Sequence, residues 1–146
     1  MLFKKILLPT DGSPASIKAA LYVAAILKEK PDIKVITLSV DRMAHRIAAY
    51  ETPYNPDVAT AVNDMVSQRL ADTKEVFRKE GFEIETVRLQ GEPGPTICKY
   101  AAENGFDHIV MGSTGAGHFS GLLFGSVALK VIGMSKIPVV LIGRSS

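Results

Sequence analysis

Five short apolar runs alternate along this chain with four stretches in which apolar residues recur every three to four positions, and that alternation confines the fold. The runs cover residues 3–8, 33–40, 82–89, 109–111 and 138–142. Each has the length of a strand, and the stretches between them carry the period of a helix. The order β-α-β-α-β-α-β-α-β favours a parallel sheet with helices on both faces, joined by right-handed crossovers. The expected architecture is an α/β fold with an open parallel five-stranded sheet in the order 3-2-1-4-5. That order sets strands one and four side by side where the strand sequence reverses, the point beyond whose carboxyl ends ligands settle.

The helical stretches have their own punctuation. Ser13 and Pro14 read as an N-cap and a first helical residue. Ile17, Leu21, Ala24, Ala25 and Leu27 continue that helix to about Lys30, where Pro31-Asp32 closes it. Residues 41–56 break the pattern with Arg42, His45, Arg46, Pro53 and Pro56, and read as a loop with one helical turn near residues 43–49. Val58, Val62, Val66, Leu70, Thr73 and Phe77 mark a long amphipathic helix ending at Gly81. Gly91-Glu92-Pro93-Gly94-Pro95 turns into a third helix through Ile97, Tyr100 and Ala101, stopped by Asn104-Gly105. Gly125-Ser126 opens the fourth, which runs through Val127, Val131 and Ile132.

Composition removes several classes of function. A length of 146 residues suits one domain spanning 1–146, and 47% hydrophobic against 22% charged residues excludes a disordered chain. A formal charge of +2 is too small and too scattered for a nucleic-acid surface. The single cysteine, Cys98, forms no internal disulfide, and the apolar run at residues 6–8 is too short for a secretory signal, so the expected compartment is the cytoplasm. Residues 109–129 carry no formal charge and include Gly117, Gly121 and Gly125 at membrane-dimer spacing. Gly112, Gly115, Ser113, Thr114, His118, Ser120 and Ser126 in the same stretch argue against a membrane span.

The chemistry concentrates in the loops that leave strands one and four. Loop one is Pro9-Thr10-Asp11-Gly12-Ser13; loop two runs from Met111 to Ser126 and holds five glycines between Gly112 and Gly125. Glycines at that density let backbone N–H groups converge on an oxygen-rich anion, and Gly125-Ser126 adds donors at a helix start. The helix-end contribution is only about 0.3–2 kcal/mol. Micromolar affinity, about 8 kcal/mol, therefore needs several N–H bonds, the Ser126 hydroxyl and a pocket for a base. A ligand-free glycine loop is the alternative. No Gly-Lys pair exists, so there is no Walker loop, and no GxGxxG follows strand one. A phospho-receiver would want clustered acids, and Asp11 has only Asp41 one strand away. Asp11 itself serves either a ligand or the cap of the first helix. His45, His108 and His118 are too scattered for a metal site, and Cys98 reads as a small buried hydrophobe.

Gly112-x-x-Gly115, nine residues, then Gly125-Ser126 resembles the G-2x-G-9x-G-[S/T] signature of the nucleotide-binding branch of the universal stress proteins. The resemblance runs from Ile6-Leu7-Leu8-Pro9-Thr10-Asp11-Gly12-Ser13 to Ile137-Pro138-Val139-Val140-Leu141-Ile142. It implies an adenine nucleotide alpha-hydrolase-like fold holding ATP, with AMP or ADP as alternatives. Pro9, Thr10 and Asp11 would line the adenosine, and Val40 would offer backbone bonds to the adenine edge. Gly112 would approach the ribose, and Gly115, Gly125, Ser126 and Val127 would hold phosphates, with Met111 and Thr114 completing the set. Mg²⁺ would ride on the phosphates. Many relatives carry Arg or Lys inside the glycine loop, whereas here none occurs between Asp107 and Lys130. The edge strand at residues 138–142 implies a homodimer, as relatives often pair it across a two-fold axis. The implied role is a stress-response sensor or regulatory module. Its rivals are a slow ATP-hydrolysing or phosphoryl-transfer enzyme, for which only Asp11 or His118 offers a base, and a nucleotide-free partner-binding module.

Overall fold

The computed structural model describes residues 3–42, 55–114 and 124–143. Along the chain these form β1 (Lys5–Pro9), α1 (Pro14–Glu29), β2 (Lys34–Asp41), α2 (Pro56–Arg78), β3 (Glu85–Gln90), α3 (Pro93–Glu103), β4 (His108–Gly112), α4 (Ser126–Met134) and β5 (Val139–Ile142). The five strands make one parallel sheet, as the alternation predicts, in the expected order β3-β2-β1-β4-β5. Leu7 of β1 sits opposite Ile36 of β2 on one side and Ile109 of β4 on the other.

Strand side chains alternate between faces, so a central strand that is apolar throughout must be covered twice. Ile6, Leu8, Val35 and Val110 point to one face, where α1 and α2 cover them with Val23, Leu27 and Phe77. Leu7, Ile36, Leu38, Ile109 and Met111 point to the other, under Ile97 and Ala101 of α3 and Ala128 and Val131 of α4. Phe77 is fully buried, and truncating such a ring to alanine costs about 3–5 kcal/mol.

The element ends differ from the sequence expectation for local reasons. Asn55 caps α2 by accepting from the Asp57 and Val58 N–H groups at 2.9 and 3.4 Å, so the helix starts at Pro56. Phe82 still belongs to the turn that closes α2, because its N–H donates to the Phe77 carbonyl at 3.0 Å across Gly81, whose φ is +86°. That delays β3 to Glu85. Pro93 and Pro95 fall in the first turn of α3, where no N–H is missed. The helical turn expected near residues 43–49 lies outside the described residues.

The largest correction concerns the inward face of α1. Leu21 was expected on its apolar stripe but is 54% exposed, and the buried face is Ala15, Ser16, Ala19, Ala20, Val23, Ala24 and Leu27. Small residues let the helix lie close against β4. Val58 and Ile132 are likewise exposed. No helix among the described residues is long and apolar enough to cross a membrane. Residues 109–112 belong instead to β4, and residues 126–129 open α4.

Candidate functional site

Loop one is tied down by hydrogen bonds. The Thr10 N–H donates to the Leu38 carbonyl at 2.8 Å, extending the β1–β2 ladder one step past Pro9. Its buried hydroxyl donates to Ser16 Oγ at 3.2 Å and lies 3.0 Å from Thr73 Oγ1 of α2. The chain then reverses at Gly12, whose φ of +77° favours glycine. Asp11 Oδ1 accepts from the Ser13 N–H at 2.9 Å, bracing the turn. Ser13 is the true N-cap of α1, accepting from the Ser16 N–H at 3.2 Å.

Loop two starts at Gly112, where an added Cβ would lie 2.7 Å from the Ala15 carbonyl carbon and 2.8 Å from the Ser16 nitrogen. This glycine is what lets α1 press on β4. The Ser113 N–H donates to Ile142 at 2.8 Å, and the Gly125 N–H returns to the Ser113 carbonyl at 2.7 Å, closing the base of the loop. Ser13 Oγ donates to the Thr114 carbonyl at 3.4 Å, so two loops about a hundred positions apart in sequence touch.

Gly125 caps α4 with extended backbone and no side-chain hydrogen bond, and the first intrahelical bond is Leu129 N–H to the Gly125 carbonyl. The N–H groups of Ser126, Val127 and Ala128 thus have no partner within the helix, at its positive end. All three residues line a cavity of about 550 Å³ beyond the carboxyl ends of β1 and β4, within the size range of small-molecule sites.

Pro9, Thr10, Asp11, Val40, Met111, Gly112, Thr114, Gly125, Ser126 and Val127 all line this one cavity. Gly115 and His118 lie outside the described residues. Val40 contributes backbone as well as side chain. Leu38 turns its carbonyl toward β1 and Asp41 turns its own toward Gly91 on the β3 side, so by strand alternation Val40 faces the β1 side. The β1 pairing ends at Leu38, hence the Val40 polar groups point into the space beyond Pro9.

The sequence reading missed the wall supplied by α2: Val62, Met65, Val66 and Arg69 line the cavity too. Val62 and Val66 were legible only as part of an amphipathic stripe. The available signal was Arg69, a charge three residues after Val66 on the inward face. Arg42, at the start of the loop after β2, also lines the cavity, as do Leu38, Ile97 and Phe124. Among the described residues the charged lining is Asp11, Asp41, Arg42 and Arg69, with formal charges that cancel.

At the opposite end of the sheet, Asp107 accepts from the Lys4 and Lys5 N–H groups at 2.9 and 2.7 Å and pairs with His108 Nδ1 at 2.8 Å. The His108 ring stacks on Phe3 at 4.0 Å. Burial alone would raise the Asp107 carboxyl, but the hydrogen bonds from His108, Lys5 and Lys4 outweigh it and hold its pKa below the ordinary value. Cys98 is half-buried against α4, its Sγ donating to the Val131 carbonyl at 3.8 Å, and burial pushes its thiol up. Among the described residues no group of three or more His, Cys, Asp or Glu could hold a metal ion.

The profile of the Universal stress protein family matches residues 2–143. Universal stress protein MJ0531 of Methanocaldococcus jannaschii is 31% identical over 143 residues, covering 98% of this chain and 84% of its own length. The solved structure of MJ0577 from the same organism superposes with a TM-score of 0.81 at 29% identity, covering 100% of this chain and 99% of that one. A universal stress protein from Archaeoglobus fulgidus, solved in complex with dAMP, superposes with a TM-score of 0.69 at 24% identity, covering 97% and 99%. This last likeness speaks for the fold.

Proposed function

Since this chain belongs to the universal stress protein family, we propose that it binds an adenine nucleotide at the β1–β4 loop junction and acts as a stress-response sensor or regulatory module. ATP is the first candidate, with ADP and AMP as shorter occupants. The observation that carries this reading is the start of α4, which no side chain caps among the described residues and whose Ser126 and Val127 border a cavity with Pro9, Val40, Met111 and Ile97 among its apolar walls. Backbone donors suit phosphate oxygens and apolar walls suit a base. In this arrangement Pro9, Thr10, Asp11, Val40 and Met111 take the adenosine, Gly112 meets the ribose, and Thr114, Gly115, Gly125, Ser126 and Val127 take the phosphates. The Archaeoglobus fulgidus complex with dAMP lends support, since its fold is the same and its ligand is an adenine nucleotide.

Only Asp11 and Asp41 bring carboxylates to the described lining, so a Mg²⁺ ion would be carried by the phosphates. We also propose a homodimer through β5, an edge strand of half-buried apolar residues flanked by the exposed Leu129, Ile132 and Met134 of α4. A monomer mass by light scattering at micromolar concentration would overturn it. The lone cysteine Cys98 is in keeping with the reducing cytoplasm.

Denaturing the purified protein and identifying the released small molecule tests the nucleotide directly. A nucleotide at about 100 times Kd adds about 2.7 kcal/mol of stability. Absence of any thermal shift with ATP, ADP and AMP would remove the proposal. Timed product analysis then separates retention, the expected outcome, from turnover.

A further inference from the structure

We infer that, of the two arginines lining this cavity, Arg69 of α2 is the one that makes the site select ligands carrying negative charge; the inference rests on the nucleotide reading above. Loop two has no Lys or Arg between Asp107 and Lys130, so any cationic side chain must come from another element. Arg69 is brought there by the fold, with its main chain tied to loop one through Thr73 and its guanidinium bonded to Met65. Its carbonyl accepts from Thr73 Oγ1 at 2.9 Å, and that hydroxyl meets Thr10 of loop one at 3.0 Å.

The stem then crosses Gly12 so closely that a Cβ there would lie 2.7 Å from Arg69 Cγ and 3.4 Å from its Cβ and Cδ. Gly12 is therefore required twice, for the turn and for the passage of this side chain. Its neighbour Ser13 is the residue that reaches Thr114, so the turn that Arg69 crosses is the one tied to loop two. The guanidinium donates to the Met65 sulfur at 3.4 Å, a weak acceptor. Arg78, nine residues along the same helix, is instead held by both oxygens of Glu75 at 2.6 Å. Arg69 is thus a cation on a cavity wall, paired with no carboxylate among the described residues, with its planar fork left for a phosphate.

The experiment titrates the wild-type chain, Arg69→Met, Arg69→Gln and Arg69→Lys with adenosine, AMP and ATP by calorimetry at two salt concentrations. Met and Gln keep the stem over Gly12 and drop the charge, and thermal melts check that each variant is folded. The expected result is a loss of at least about tenfold in AMP and ATP affinity for both neutral variants, as removal of one charge-assisted hydrogen bond predicts. Adenosine should change by less than about twofold, Arg69→Lys should recover part of the loss, and the salt dependence of ATP binding should flatten. Equal losses for adenosine and ATP, or no loss at all, would overturn the assignment while leaving the nucleotide reading intact. So would the same discrimination appearing in Arg42→Met and not in the Arg69 variants. If the wild-type chain binds none of the three ligands, the nucleotide reading fails and the assignment goes with it.

Discussion

Replacing Gly112 by alanine should destabilise the protein even when no ligand is bound. The new Cβ would sit 2.7 Å from the Ala15 carbonyl carbon, 2.8 Å from the Ala15 Cβ and 2.8 Å from the Ser16 nitrogen. Ordinary carbon–carbon contact begins near 3.5 Å, so the first turn of α1 would have to retreat by about 0.8 Å. Backbone cannot swing aside as a side-chain tip can. Retreat would also pull on Ser13 and Ser16, whose hydrogen bonds reach Thr114 and Thr10. Overpacking of this kind costs about 1–3 kcal/mol. For a protein of this size each kcal/mol lowers Tm by roughly 2–4 °C, so a mid-range cost of ~2 kcal/mol lowers it by about 4–8 °C. Calorimetric melting of the ligand-free protein measures this directly. Gly133→Ala is the control, since an added Cβ there meets nothing within 4 Å in the exposed last turn of α4. That change should stabilise by about 0.4–1 kcal/mol. A Gly112→Ala protein melting within about 1 °C of wild type would refute the claim that the absent side chain holds α1 on β4.

Asp11→Ala should lower nucleotide affinity more than tenfold while unfolding stays cooperative, because Ser13 rather than Asp11 caps α1; unchanged binding by calorimetry would take Asp11 out of the site. Thr73→Val keeps the shape of a fully buried side chain but removes its bonds to the Arg69 carbonyl and the Thr10 hydroxyl. Urea unfolding should report a loss of about 0.5–1.5 kcal/mol, with m unchanged. The Asp107 carboxyl has a lower pKa folded than unfolded, so its contribution is complete above the ordinary carboxylate value and is lost as pH falls through the folded one. Asp107→Asn should therefore flatten the acid limb of the stability curve below about pH 4, and an acid limb identical to wild type would show that the Lys4, Lys5 and His108 contacts do not hold the ionised form.

Local signals were legible wherever a decision depends on neighbours in sequence. The strand runs, the Ser13-Pro14 start of α1 and the turn at Gly81 follow from residue types a few positions apart. Strand order did not follow from alternation, which several doubly wound orders satisfy; 3-2-1-4-5 was expected because it brings the two unusual loops together, and the sheet has that order. The inward face of α1 was misread because a helix rich in alanine offers more than one apolar stripe. The nearness of Gly112, not the hydrophobicity of Leu21, selects the one that packs. Gly112 itself drew attention through its motif, whereas its steric role against Ala15 and Ser16 depends on two segments nearly a hundred residues apart.

The sequence alone therefore determined the alternating architecture and the two loops on which a ligand reading rests, since periodicity and turn chemistry act over a few residues. Tertiary structure alone decided that Ser13 meets Thr114, that α2 closes the cavity and that Arg69 crosses Gly12 to reach it. Each of these is a contact between remote segments, and only the packing of helices on the sheet sets which remote residues come within a few ångströms.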